Sequence, residues 1–304
     1  MKKTIYILTL LLVSMTAGAQ ALPFTAVNYD PVSMAMGGTG LTDTSSPAYA
    51  VYGNPAAAVF SGRKLEVAAG YAMWQPSSMK SDVVSAAGTF VLREKIGVSV
   101  GMSYGTNPSY DVIDASGLVT GSFTPSDLQV GAGVSWRFLP FLSVGANVGY
   151  ASSTLAEGAS YGAVNADVYA MAKFGGLKAA AGVKGLGTAV KSASGASFRL
   201  PMAAVSGVVY ELGLGEKSGI DVNIDAEYYM KDGVAVAAGA SYTFARLFTV
   251  RAGYRYGGNT VLPSFASVGA GFRIFGAGID VAYLIAGKSS PMANTLSIGL
   301  RWGL

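Results

Sequence analysis

Hydrophobic and polar positions alternate along most of this chain. In GIDVNIDAEYYMK, Ile220, Val222, Ile224, Ala226, Tyr228 and Met230 alternate with Asp221, Asn223, Asp225, Glu227 and Tyr229. A period of two sends successive side chains to opposite faces of a strand. The segment is therefore a strand with one apolar and one polar face. FLSVGANVGY repeats the pattern, with Leu142, Val144, Ala146, Val148 and Tyr150 against Ser143, Gly145, Asn147 and Gly149, and so do LFTVRAGYRY and TLSIGLRWGL. Read this way, the sequence predicts about fourteen strands, near 63–74, 82–92, 95–105, 126–138, 141–151, 162–174, 177–187, 199–212, 219–230, 234–245, 247–257, 263–275, 277–286 and 293–304. Each is close to the roughly 9 to 11 residues that a tilted strand needs to cross a bilayer.

The connections alternate too. Short links at 93–95, 139–140, 175–176, 213–218, 245–246 and 275–278 are interleaved with longer polar ones, the largest being 107–125. Outer-membrane barrels pair short periplasmic turns with longer extracellular loops, and an even strand number returns the chain to its starting side. The expected fold is all-β: a transmembrane antiparallel β-barrel in the outer membrane of a Gram-negative bacterium, with both termini periplasmic.

Composition narrows the choice. Hydrophobic residues make up 51% of the 304, charged residues only 12%, and there are 41 glycines; mean hydropathy is +0.41. A soluble two-sheet sandwich would alternate in the same way, but its outside would need far more charge. A transmembrane helix would need about 18 consecutive apolar residues, and after the first twenty Gly, Ser, Thr or a charge breaks each run. The N-terminal MKKTIYILTLLLVSMTAGAQA has Lys2 and Lys3, an apolar stretch Ile5 to Val13 and Ala17-Gly18-Ala19, the pattern of a cleaved signal peptide. Residues 1–19 are read as that peptide, 20–62 as an N-terminal segment and 63–304 as the barrel. Aromatic strand ends (Trp74, Tyr104, Trp136, Tyr150, Tyr254, Tyr256, Trp302) agree with a membrane.

The inward parity carries the chemistry. Ala235, Ala237, Gly239, Ser241 and Thr243 form a strand of little volume, flanked by Asp221, Asp225 and Glu227 on one side and Arg251 and Arg255 on the other. Long arginines are expected to reach those carboxylates across it. A second set, Arg273, Asp280, Arg301 and Glu66, is expected where the first and last strands close the barrel. Charges within a membrane span require a wet or protein-filled interior and partners. These ladders read as wall bracing, or else as a polar permeation path. Inward Gly97, Gly101, Gly131, Gly133, Gly145, Gly149, Gly182, Gly269, Gly271 and Gly299 leave space, because fourteen strands enclose more than small side chains fill. Residues 20–62 are the segment available to fill it.

Within that segment stand Leu22-Pro23-Phe24, Asp30, SMAMGGTG at Ser33 to Gly40, Asp43 and Asn54-Pro55-Ala56. Gly37, Gly38 and Gly40 suit positive φ and close backbone approach, and Asn54-Pro55 signals a turn. No strand precedes GGTG and no Lys follows it, which excludes a phosphate loop. Together these residues resemble the N-terminal hatch of the FadL superfamily of fourteen-stranded outer-membrane barrels, and more closely its PorV/PorQ branch from Bacteroidetes. The resemblance implies a hatch folded up into the lumen. The branch implies an accessory role in type IX protein secretion, with secretion-system proteins or secreted cargo as partners. The wider superfamily implies passive transport of hydrophobic small molecules.

The chain has no His and no Cys, which removes Ser-His and thiol chemistry, the commonest metal sites and any dependence on disulfides. No enzyme activity and no cofactor are expected. Asp221, Asp225 and Glu227 could in principle support carboxylate chemistry, but read more simply as wall residues with arginine partners. Net charge of +4 with scattered basic residues gives no nucleic-acid surface. Outer-membrane lipid is the expected surrounding.

Overall fold

A computed structural model describes residues 21–304 except 75–79, 192–194, 196, 231, 259 and 289; the proposed signal peptide lies outside the described residues. Eighteen strands follow in chain order: β1 Leu65–Trp74, β2 Ser81–Leu92, β3 Ile96–Thr106, β4 Tyr110–Ile113, β5 Val119–Phe123, β6 Ser126–Leu139, β7 Leu142–Ala156, β8 Ala159–Phe174, β9 Leu177–Gly187, β10 Val190–Lys191, β11 Ser197–Phe198, β12 Ala203–Leu214, β13 Ser218–Tyr229, β14 Gly233–Phe244, β15 Phe248–Tyr256, β16 Phe265–Ile274, β17 Ala277–Ile285 and β18 Thr295–Gly303. Fourteen of them form a closed barrel in which β1 pairs with β18; β4–β5 and β10–β11 are separate two-stranded ribbons within connections. Every neighbouring pair is antiparallel, and closure removes the unpaired edges that lipid would not tolerate.

The two faces separate as the alternation requires. Val148, Val222, Ile224 and Val250 point outward, 56, 48, 48 and 58% exposed, while Asn147, Asn223 and Arg251 between them are buried. An apolar outer belt of this kind suits a hydrocarbon surround. Trp136 and Trp302 belong to it, at 57 and 44% exposed. Trp74, expected there as well, has the inward parity of Glu66, Ala68 and Ala72 and faces the lumen.

One end of the barrel is built of tight turns. At 93–94 and 245–246, Arg93, Glu94, Ala245 and Arg246 all adopt positive φ, 49 to 59°, as a two-residue turn matched to strand twist demands. The opposite end differs from expectation at two places. Strands β7 and β8 extend until only 157–158 join them, and β13 and β14 are joined by 230–232. Small polar residues on both parities, Ser152, Ser153 and Thr154, hid the upper part of β7 from an alternation test. Strand β12 begins at Ala203 rather than 199 because Pro201 has no N–H for the ladder.

Residues 21–62 pack against the inward side of the wall. They form 3₁₀ turns at Pro23–Ala26, Pro47–Tyr52 and Pro55–Phe60 and one helical turn, α1, at Pro31–Ala35. The inward glycines mark where this segment touches the barrel. A Cβ on Gly299 would lie 2.8 Å from Pro31 Cγ, one on Gly253 2.6 Å from the Met36 carbonyl, and one on Gly145 2.9 Å from Pro55 Cγ. Ala35, Ala48 and Ala56 are fully buried. Both termini were expected at the tight-turn end. Leu304 pairs there with Leu65, but the Ala21 N–H donates to the Arg199 carbonyl in the 188–202 connection at the other end. Leu22 packs there with Ala151, Ala163, Val190 and Leu200, with Ala21 and Phe24 partly buried against the same cluster.

Candidate functional site

The luminal segment crosses the barrel between two cavities. The first, of about 110 Å³, lies toward the long-loop end and is lined by Met34, Gly38, Gly40 and Leu41 of the segment; the wall contributes Trp74, Phe265 and Leu284, the 286–294 connection Met292 and, elsewhere, the wall adds Gln129, Asn147, Asn165, Asp167, Lys184 and Glu227. The second, of about 120 Å³, lies toward the tight-turn end under Val32, Met36, Thr42, Asp43 and Ser45. Residues 32–45 are thus a septum one chain thick.

Side chains of the wall hold the septum by its backbone. The Gly40 and Leu41 N–H groups donate to Asp225 Oδ2 at 2.8 and 3.0 Å, and the Gly37 N–H to Ser267 Oγ at 2.8 Å. Arg273 and Arg301 donate to the Ser45 carbonyl at 2.9 and 3.0 Å. Lys178, 1% exposed, donates to Thr44 Oγ1 at 2.5 Å and to Glu211.

The residues singled out in the sequence fall into this arrangement unevenly. Gly37 and Gly38 have φ of +75 and +83°, and a Cβ on Gly37 would lie 2.7 Å from the Tyr254 backbone nitrogen. Gly40 has no positive φ; it is small because Ser33 Oγ and Asn28 Nδ2 would lie 3.0 and 3.2 Å from a Cβ there. Asp43 closes a local turn onto the Ser45 N–H at 2.7 Å. Asn54 caps the 3₁₀ turn through the Ala56 N–H at 2.9 Å, while its Nδ2 donates to the Leu41 carbonyl at 2.8 Å. Pro55 begins that turn, and the Ala56 carbonyl accepts from Ser143 Oγ at 2.7 Å.

Among the charges, Arg255 reaches Glu227 across β14 at 2.5 Å, and Lys184 binds the other oxygen of Glu227 at 2.5 Å, with Tyr229 Oη donating at 2.9 Å. Arg251 departs from expectation. It pairs with Asp280 at 2.8 Å, which also takes Arg301 at 2.8 Å. Gly271, over which the Arg251 guanidinium lies, leaves room on that side, whereas Ser241 on the other side donates to Asp221 at 2.8 Å. Asp225, expected to meet an arginine, is taken by the septum. Glu66, fully buried, is bound by Arg63 rather than by Arg273 or Arg301.

Sequence reasoning passed over Lys178 and Lys184. Both share the inward parity of strand 177–187 with Ala180 and Gly182, so the same alternation test locates them. Asp30 caps α1, accepting the Val32 N–H at 3.0 Å. Burial pushes its carboxyl up to about 8, with the charge of Asp43 acting in the same direction and Arg301 against it.

No protein-family profile matches this sequence, and no curated protein matches it. Solved structures do. The toluene transporter TbuX of Ralstonia pickettii superposes with TM-score 0.65 at 12% identity, covering 92% of this chain and 99% of that one. The P. putida toluene transporter TodX gives 0.65 at 13%, covering 91% and 99%. A Pseudomonas aeruginosa FadL homologue gives 0.52 at 11%, covering 95% and 99%. The fold is that of FadL-like barrels. None of these structures singles out the PorV/PorQ branch.

Proposed function

We propose that this chain is a passive channel of a Gram-negative outer membrane, admitting small, largely apolar molecules from the long-loop end. The observation that carries this reading is the septum: two cavities meet at one thickness of chain. Barrel strands are locked by ladders of paired backbone bonds, whereas residues 36–45 hang on a few side-chain contacts, so they move at far lower cost than the wall. A cavity near 110 Å³ is on the scale of one aromatic ring, since an engineered apolar cavity of about 150 Å³ holds benzene. The likeness to barrels named toluene transporters points the same way. In this reading the tight turns are periplasmic and the residues around Ala21 lie toward the cell exterior.

The secretion role implied by the PorV/PorQ resemblance draws on no feature of the described structure, and the alternative transport reading is preferred. Expression in a Gram-negative host with a poorly permeable outer membrane should raise uptake of a labelled single-ring aromatic several-fold. Uptake no faster than in cells carrying an empty vector would sink the proposal.

A further inference from the structure

The upper cavity is two-sided. Around the barrel, β16 and β17 stand seven strands from β7 and β8, half of fourteen, so the two pairs face each other across the lumen. On the first side Met34, Phe265, Leu284 and Met292 form one apolar cluster, all buried. On the second side the wall is polar. Asp167 Oδ1 accepts the Gly185 N–H at 2.7 Å where a register shift bulges β9 against β8, and Lys184 is the neighbouring residue. Gln129, Asn147 and Asn165 continue this side along β6, β7 and β8.

That polar wall is incompletely satisfied. Gln129 Oε1, Asn147 Oδ1, Asn165 Oδ1 and Asp225 Oδ1 are buried without a hydrogen-bond partner, and among the cavity's donors Arg255 Nε is in the same position. Asn147 and Asn165 are only 5 and 9% exposed. The Lys184 ammonium spends one of its three N–H groups on Glu227. A pure hydrocarbon filling this cavity would strip water from Lys184 and Asp167 and return nothing to them, which is unfavourable. A hydroxyl both accepts and donates one bond, matching a wall that offers an ammonium beside carboxylate and amide oxygens.

We infer that the upper cavity selects amphipathic single-ring compounds bearing a hydroxyl, with the ring against Phe265, Leu284 and Met292 and the hydroxyl toward Lys184, Asp167 and Gln129. This deepens the channel reading and rests on it. A carboxylate head is disfavoured, because Glu227, Asp225 and Asp167 already surround Lys184 and Arg255.

The test compares p-cresol, p-xylene and p-toluate, which share one ring and differ in a single substituent. The protein is held in lipid nanodiscs, with Trp136→Phe and Trp302→Phe leaving Trp74, which lines the cavity, as the fluorescent reporter. After correction for uptake into empty nanodiscs, p-cresol should saturate the signal at a concentration about tenfold or more below p-xylene and below p-toluate. Gln129→Leu and Lys184→Met should each shrink that preference. Gln129→Leu touches no ion pair, so it serves if Lys184→Met fails to fold. Equal binding of p-cresol and p-xylene, tighter binding of p-toluate, or a preference untouched by Gln129→Leu overturns the inference. If aromatic uptake by cells persists in any of those cases, the channel reading survives; if uptake is absent as well, both fall.

Discussion

Asp225 illustrates what a single side chain contributes here. Pairing places Ala237 between Asp225 and Arg255, and Ser241 between Asp221 and Arg251, all in register. On the wall alone, carboxylate and guanidinium face each other twice. Strand alternation makes those neighbours legible in the sequence; the backbone donors of Gly40 and Leu41, which arrive from 185 and 184 residues away, are not. Asp225→Ala leaves two N–H groups without an acceptor, at a cost of about 1–3 kcal/mol each where they are buried. The expected outcome is faster amide exchange at Gly40 and Leu41 with the strand amides unchanged, and a milder effect for Asp225→Asn, which keeps an acceptor. Unchanged exchange in Asp225→Ala would show that the contact does not hold the septum.

At the scale of elements, the fourteen wall strands were legible because lipid on one side and a filled lumen on the other enforce a strict period of two. The conformation of the luminal segment was not. Its 3₁₀ turns and the five residues of α1 are too short for any period to register, and their conformation follows from the wall they touch. Asp30 at the start of α1 gives that segment a pH response. Its carboxyl is raised from the ordinary 3.8 to about 8, so the seated segment binds a proton that a displaced one releases. Seating is therefore strongest in acid and weakens as pH rises through about 8. Asp43, Arg301 and Asp280 face Asp30, and their charges set how steep the response is. In planar bilayers the open fraction should rise from about pH 4 to about pH 8 and level off above it, and Asp30→Asn should flatten that rise. A profile identical in the two proteins would exclude Asp30 as its source.

For the whole molecule, the charge ladders predict unequal contributions to barrel stability. Asp280 depends on Arg251 and Arg301 together, while Glu227 is held by Arg255, Lys184 and Tyr229. Removing both arginines from Asp280 leaves a buried carboxylate bare, a loss of about 3–5 kcal/mol. Arg255→Ala leaves Glu227 partnered and should cost less. In a heat-modifiability gel shift, Arg251→Ala with Arg301→Ala should unfold at a clearly lower temperature than Arg255→Ala. Equal midpoints would mean that the barrel does not rely on Asp280. The overall architecture was readable because alternation, connection lengths and composition agree. The direction in which the first residues run was not, since nothing in the local pattern of Leu22 to Ala26 says which end of the lumen they reach.

The luminal segment also touches both sides of one particular seam. Residues 31–35 contact β15 to β18, and residues 47–52 contact β1, β2 and β3, so the segment bridges the joint between β1 and β18. That joint unites residues 65–74 with residues 295–303, the neighbouring strands of the wall most distant in sequence and the costliest of its pairings to close on entropic grounds. Residues 31–35 and 47–52 therefore act as a splint across that joint, on either side of the 36–45 stretch of the septum. In the proposed channel, passage that displaces only residues 36–45 leaves the joint braced, whereas a chain without residues 31–52 loses all of these contacts across it.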